Sequence, residues 1–197
     1  MPDPLLSGKP GRIDRVMVPP MSFLAIEGQG APGGSAHSAS VSALYSLAYG
    51  ARFAGKARGI DEKVGPLEGL WWADDMGDFR SGARESWRWC MLIRAPGWLD
   101  ELTLETLRAA AQRKRPDLVD SLSRVLLWTL DEGACLQALH LGPYADEGPL
   151  IARLHAEAAA QGLSLSGQHH EIYLNDPSRT APEKLKTILR QPVRAPD

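Results

Sequence analysis

Apolar and polar residues alternate along this chain with two distinct periods, and the switches between them mark out its elements. Met17 to Glu27 is apolar and extended in character, interrupted at Pro19 and Pro20, and it runs into the loop GQGAPGG, where glycines favour a turn. From residue 38 to 56 the period changes. Val41, Leu44, Ala48 and Ala51 recur three or four apart, which predicts the buried stripe of a helix. Two runs of strand type follow. PLEGLWWAD holds the first and RESWRWCMLIRAP the second, with Trp87, Trp89, Met91 and Ile93 on one face and Cys90 and Leu92 on the other.

The second half repeats this order. After a helical connector, with Leu104, Leu107 and Ala111 on one side and a further helical piece from Pro116 to about Ser123, VLLWTLDEGACLQALHLGPY has the form of two strands joined at Glu132 and Gly133. A helix from about Asp146 carries the stripe Ile151, Leu154 and Ala158 and closes at Gly162. HHEIYLNDP is then a strand, Thr180 and Glu183 have the spacing of a capping box, and LKTILRQPV is a last strand. Strand, helix, strand, strand thus occurs twice, without obvious sequence identity between the halves. The expected fold is α+β: two pseudo-symmetric modules, about 16–96 and about 124–193, joined by a connector at about 100–123. Helices cover the outer face of antiparallel sheets, and the seam forms a concave ligand groove. Residues 1–15, rich in Pro, Gly and charge, are expected to be a loose arm.

Composition narrows the function. A chain of 197 residues with 44% hydrophobic residues can bury a sizeable core, and a net charge of -2 without like-charge runs removes the usual electrostatic basis for binding nucleic acid or an anionic membrane. No apolar run approaches about 18 residues and no secretory signal opens the chain, so a cytoplasmic protein is expected. Cys90 and Cys135 are far apart in apolar runs and read as buried thiols, with no spacing for zinc or redox chemistry.

LYSLAYGARF, PLEGLWW, WRWCMLIRAP, LQALHLGPYADEGP and above all HHEIYLNDPSRTAPEKLKTILRQPV resemble the GyrI-like small-molecule-binding proteins over about residues 16–193. The resemblance implies the two-module fold with a central groove, the scaffold of drug-sensing domains in some MerR-type and AraC-type regulators. The chain has no helix-turn-helix before the fold, which sets it apart from those regulators. For stand-alone members the resemblance implies binding of bulky apolar or cationic compounds, or hydrolysis of cyclopropane-bearing genotoxic compounds, with an acidic residue and aromatics lining the groove. The family name also brings in inhibition of DNA gyrase, although this chain offers no acidic mimic of DNA. The expected partner is a small molecule, and the expected assembly a monomer or weak homodimer, without cofactor.

The residues that could carry this chemistry are led by Glu171. A carboxylate in mid-strand is costly unless it meets water, a partner charge or a ligand, and the period of two puts the Tyr173 phenol beside it. A solvent-facing Glu171, or one paired with Arg88 or Arg94, is the plain alternative. In a groove its carboxylate would attract a cation or act as a general base, with Tyr173 donating to the ligand or to an attacking water. Trp71, Trp72, Trp87 and Trp89 are candidate ligand surfaces by stacking and cation–π attraction, against an equal case for core packing; Trp71 and Trp72 must face opposite ways, while Trp87 and Trp89 go together. Glu68 is a second candidate carboxylate, with a solvated edge position favoured for it. Tyr144 and His140, where a strand runs into a helix, can reach a cleft, although a satisfied core histidine is the commoner outcome. His169, His170 and Glu171 cannot converge on one metal, because neighbours on a strand point apart.

Overall fold

In a computed structural model of the chain, the structure describes residues 3–73 and 84–196. Asp74, the end of the PLEGLWWAD run, lies outside them. The described residues form an α+β fold of nine strands and four helices, built on antiparallel strand pairing. The chain divides into two compact units: Met1–Pro20, Pro66–Leu70 and Asp131–Asp197 in the first, Met21–Gly65 and Trp71–Leu130 in the second.

In the first unit, β1 (Ile13–Val18) pairs with β6 (Gly133–Leu141), β6 with β9 (Lys186–Arg194), and β9 with both β7 (Ser164–Leu165) and β8 (His169–Tyr173). The Ile151, Leu154 and Ala158 stripe places one face of α4 (Gly148–Ala160) against this ladder. Leu154 and Ala158 close a core with Leu136 and Ala138 of β6 and Leu189 and Val193 of β9. Gly162 ends the helix at a φ of 67°, a left-handed conformation that a residue with a Cβ would adopt only under strain.

In the second unit, β2 (Met21–Gln29) pairs with β4 (Arg88–Arg94) on one side and β5 (Leu126–Leu130) on the other. The helix α1 (Ser35–Ala57) buries Leu44, Ala48 and Ala51 of the anticipated stripe. The connector forms α2 (Glu101–Lys114), whose Asp100 cap accepts from the Thr103 N–H at 2.8 Å, then a 3-10 turn at Pro116–Leu118 and α3 (Val119–Arg124). The remaining strand, β3 (Leu67–Trp72), passes from the first unit to the second after Leu70.

The order strand, helix, strand, strand recurs as β2–α1–β3–β4 and β6–α4–β8–β9, with the short β7 inserted in the second run. Four local expectations are corrected. Met17 to Glu27 is two strands in different units, parted at Pro19 and Pro20, where a missing N–H cannot continue a ladder. The strands around Glu132 form no hairpin, since β5 pairs with β2 and β6 with β1. The capping box at Thr180 is not made: the short turn is Pro182–Lys184, with Ala181 at its cap position.

The fourth concerns the N-terminal arm, which is tied down. Backbone oxygens of Pro4 and Ser7 accept from the Gln137 amide at 2.9 and 3.2 Å, and that of Leu5 accepts from Arg190 at 2.7 Å. Pro10 bridges to Leu139, and Gly8 lies so close to β6 that an added Cβ would come within 3.1 Å of the Leu139 Cβ. Composition alone concealed this, because the arm contributes carbonyls rather than side chains.

Candidate functional site

The alternation of HHEIY holds in β8, and its two faces carry different chemistry. His170 and Ile172 are buried on one face, while His169, Glu171 and Tyr173 share the other, where each is only partly buried.

On the buried face, His170 is 0% exposed between two carboxylates, with Nδ1 3.0 Å from Glu132 Oε1 and Nε2 3.0 Å from Glu68 Oε2. Glu132 Oε2 also accepts from Arg190 at 3.1 Å, and Arg190 reaches Gln137 Oε1 from Nε and Nη2. Burial pulls the His170 imidazolium down, but the two carboxylates outweigh it and raise its pKa to about 9. Burial likewise pushes Glu132 up, yet the charges and hydrogen bonds of His170 and Arg190 prevail and hold it below the usual carboxylate range. Two cations thus face two anions. Glu68 is corrected from a solvated edge residue to one 1% exposed, because His170 neutralises it from the next strand.

On the other face of β8, the Tyr173 hydroxyl donates to Glu171 Oε2 at 2.7 Å, and His169 Nε2 stands 3.6 Å from Glu171 Oε1. The Glu171 side chain is 15% exposed, and no lysine or arginine pairs with it among the described residues, so the Arg88 and Arg94 alternatives are not realised. Tyr144, from the 3-10 turn before α4, sets its ring edge-on to Tyr173 with centroids 5.4 Å apart. Glu147, at the cap position of α4, is buried, makes no capping bond and leaves Oε1 without a hydrogen-bond partner among the described residues. Burial first, and then the Glu171 charge, raise Glu147 to about 9, so it carries a proton at neutral pH. The cluster therefore holds one acid, one carboxylate and two phenols with no fixed cation. Such a set can attract a positive charge or move a proton.

The sequence reading brought Glu171, Tyr173 and Tyr144 together and missed Glu147, which stands three residues after Tyr144 in LGPYADEGP. A glutamate just before a helix reads as a cap, and only its neighbours in space show otherwise. His140 is a satisfied core histidine, with Nε2 3.0 Å from the Pro143 oxygen.

The tryptophans concentrate in the second unit. Half-buried Trp87 meets Trp71 edge-on at 6.1 Å, Trp71 stacks on His37 at 6.1 Å, and His37 meets Trp89 edge-on at 5.3 Å. Trp89 is sealed off: a Cβ on Gly28 would sit 2.1 Å from its Cη2, so only glycine leaves room for the ring. Trp87 and Trp89 therefore do not act as one surface. Trp87 precedes β4 and leaves the strand's alternation, while Trp89 is core. Trp72 is partly buried, and burial lowers the pKa of His37.

The profile of the GyrI-like small molecule binding domain matches residues 13–194. The chain belongs to this family. Among solved structures, an uncharacterized conserved protein from Listeria innocua is 36% identical, with a TM-score of 0.86 over 94% of this chain and 93% of its own. A protein of the same species called a hydrolase is also 36% identical, with a TM-score of 0.81 and the same coverage. The EcmrR C-terminal domain, 9% identical with a TM-score of 0.61 over 94% of this chain and 98% of its own, shares the fold alone. No curated protein matches the chain. No helix among the described residues is long and apolar enough to cross a membrane.

Proposed function

We propose that this GyrI-like protein binds bulky aromatic, apolar or cationic small molecules, with Glu171 supplying the charge and Tyr173 and Tyr144 supplying hydrogen-bonding and aromatic contacts. The observation that carries the reading is the Glu171–Tyr173 pair: a carboxylate held by a phenol at 2.7 Å, with His169 Nε2 3.6 Å away and no lysine or arginine paired with it among the described residues. An uncompensated, partly desolvated carboxylate beside aromatic rings suits an organic cation better than a neutral or anionic ligand. Half-buried Trp87, backed edge-on by buried Trp71, and partly buried Trp72 enter the proposal as separate aromatic contacts for flat ligands. Trp89, His140 and Glu68 do not, since core packing and ion pairing already occupy them.

Titration with the dye cation ethidium, followed by tryptophan fluorescence, is expected to saturate and to weaken about tenfold in Glu171→Gln, which corresponds to about 1.4 kcal/mol. An identical curve for the variant removes Glu171 from the site. Trp87→Ala tests the aromatic surface separately, through loss of quenching.

A second reading is favoured by the 36% identical Listeria innocua relative called a hydrolase. In it Tyr173 orients a water, Glu171 takes its proton, and the water oxygen bonds one cyclopropane carbon as the strained C–C bond breaks. The electron pair passes to a conjugated acceptor group on the substrate, and the proton held by Glu171 neutralises that anion. Ring strain lowers the demand on the protein, so few groups suffice. Mass spectrometry of a cyclopropane-bearing alkylator is expected to show a water adduct formed faster by the wild type than by Glu171→Gln. Equal rates or no adduct would leave binding alone.

A further inference from the structure

His169 is the neighbour of Glu171 that the binding proposal leaves without a task. The two stand two residues apart on β8, so their side chains share one face, and each is 15% exposed. The two oxygens of Glu171 are differently placed. Oε2 accepts from the Tyr173 hydroxyl at 2.7 Å, whereas Oε1 stands 3.6 Å from His169 Nε2. That separation is too long for a hydrogen bond, and both ring nitrogens of His169 are buried without a hydrogen-bond partner among the described residues. Native folds rarely leave such atoms unanswered. A metal ion would need more ligands than this pair, and no group of three His, Cys, Asp or Glu that could hold one occurs among the described residues.

We propose that His169 is a specificity-determining residue of the Glu171 site: its Nε2 and Glu171 Oε1 accept together from one ligand ammonium, so the site takes arylalkyl ammonium ions with at least two N–H groups ahead of quaternary cations. The inference rests on the binding role proposed for Glu171 and names the class of cation that it selects. Two acceptors 3.6 Å apart can each lie about 2.9 Å from a single nitrogen, and tetrahedral N–H bonds then reach both with a bend well under about 30°. A nitrogen with one N–H serves only one of them, and a quaternary nitrogen serves neither. Neutral imidazole with its hydrogen on Nδ1 presents the Nε2 lone pair that this contact needs, and the ammonium gives that nitrogen the donor it lacks among the described residues. Hydrogen bonds from a charged donor are the stronger kind, so the loss of one is readable as affinity. Tyr173 keeps Oε2 throughout and holds the carboxylate in place. Tyr144, edge-on to Tyr173 and 38% exposed, offers the aromatic part of such a ligand a ring to lie against.

The test is a calorimetric titration at neutral pH with 1-naphthylmethylammonium and its mono-, di- and trimethylated forms, which share one ring and one positive charge and differ in N–H count. Affinity is expected to hold within about twofold from three N–H groups to two, then to fall about fivefold at one and again at none. With Glu171 as the sole acceptor the first fall would be absent and the whole loss would come at the quaternary ion. In His169→Phe the first fall is expected to vanish, with affinity for the quaternary ion unchanged. His169→Gln, which restores a side-chain acceptor, is expected to keep it. The wild-type series locates both steps by itself, so the test stands even if a variant folds poorly. A series without the first fall, or a fall retained in His169→Phe, would overturn the role of His169 and leave cation binding by Glu171 in place. No binding of any of the four, or a series untouched by Glu171→Gln, would remove the binding reading and this inference with it.

Discussion

On one face of β8, His170 is enclosed by Glu68 and Glu132, with Arg190 completing the set; on the other, one residue along, Glu171 meets Glu147 among phenols and a threonine hydroxyl. Both clusters bury carboxylates. In the first every charge has an opposite within about hydrogen-bond distance, so the pKa values move apart and the ions persist. In the second the charges are alike, so one carboxyl keeps its proton and the other remains available. Burial alone therefore does not distinguish the ion-paired cluster from the proposed binding cluster. The sign balance does.

The comparison breaks most readily at Arg190. Arg190→Met should cost about 3 to 5 kcal/mol in urea unfolding, because it leaves two buried carboxylates facing His170 alone and frees the Leu5 carbonyl. A cost below about 1 kcal/mol would mean that the network is wetter than its burial implies.

An effect of comparable size, about 3 kcal/mol for the His170 shift alone, is expected from pH. His170 holds its proton to about 9 when folded and to about 6.5 when unfolded, so its stabilisation is complete below about 6.5 and gone above about 9. Glu147 acts in the same direction from its ordinary value of 4.5 upward, because the folded chain keeps a proton that the unfolded chain releases. Thermal melts should therefore fall as pH rises through 6.5 to 9, and Glu147→Gln should fall less than the wild type. An alkaline loss identical in both would exempt Glu147.

Removal of residues 1–9 should cost about 1 to 3 kcal/mol by depriving the Gln137 amide and Arg190 of their carbonyl acceptors. Ethidium binding should persist in the shortened chain, since the arm serves the balanced cluster. Smallest, Tyr173→Phe should change unfolding free energy by no more than about 0.5 to 1.5 kcal/mol, the net worth of one hydrogen bond to a carboxylate, as read in urea unfolding.

Much of the second cluster was legible in the amino-acid sequence, because its members are close along the chain. A period of two puts Glu171 beside Tyr173, and the LHLGPY junction places Tyr144 at a strand end. The first cluster was not. Its bonds span 38 residues from Glu132 to His170, 58 from Glu132 to Arg190 and 185 from Leu5 to Arg190, and no local pattern encodes such partners. Glu68 shows the consequence, for mid-strand polarity reads as exposure until an opposite charge arrives from a distant segment. Trp87 failed for another reason: alternation applies only within a strand, and β4 begins one residue later. The helices were the easiest part, since Leu44 and Ala48, or Leu154 and Ala158, declare their buried side through spacing alone.

The exchange of strands about Pro19 and Glu132 has a consequence for synthesis. All residues of the second unit have left the ribosome once Leu130 emerges, whereas the first must wait for β9, which ends at Arg194. A nascent chain released early would hold β1 with no β6 to pair it, leaving an apolar edge bare. Co-expressed fragments cut near Asp131 should complement each other only when the N-terminal piece retains β1, for the later piece alone lacks that strand.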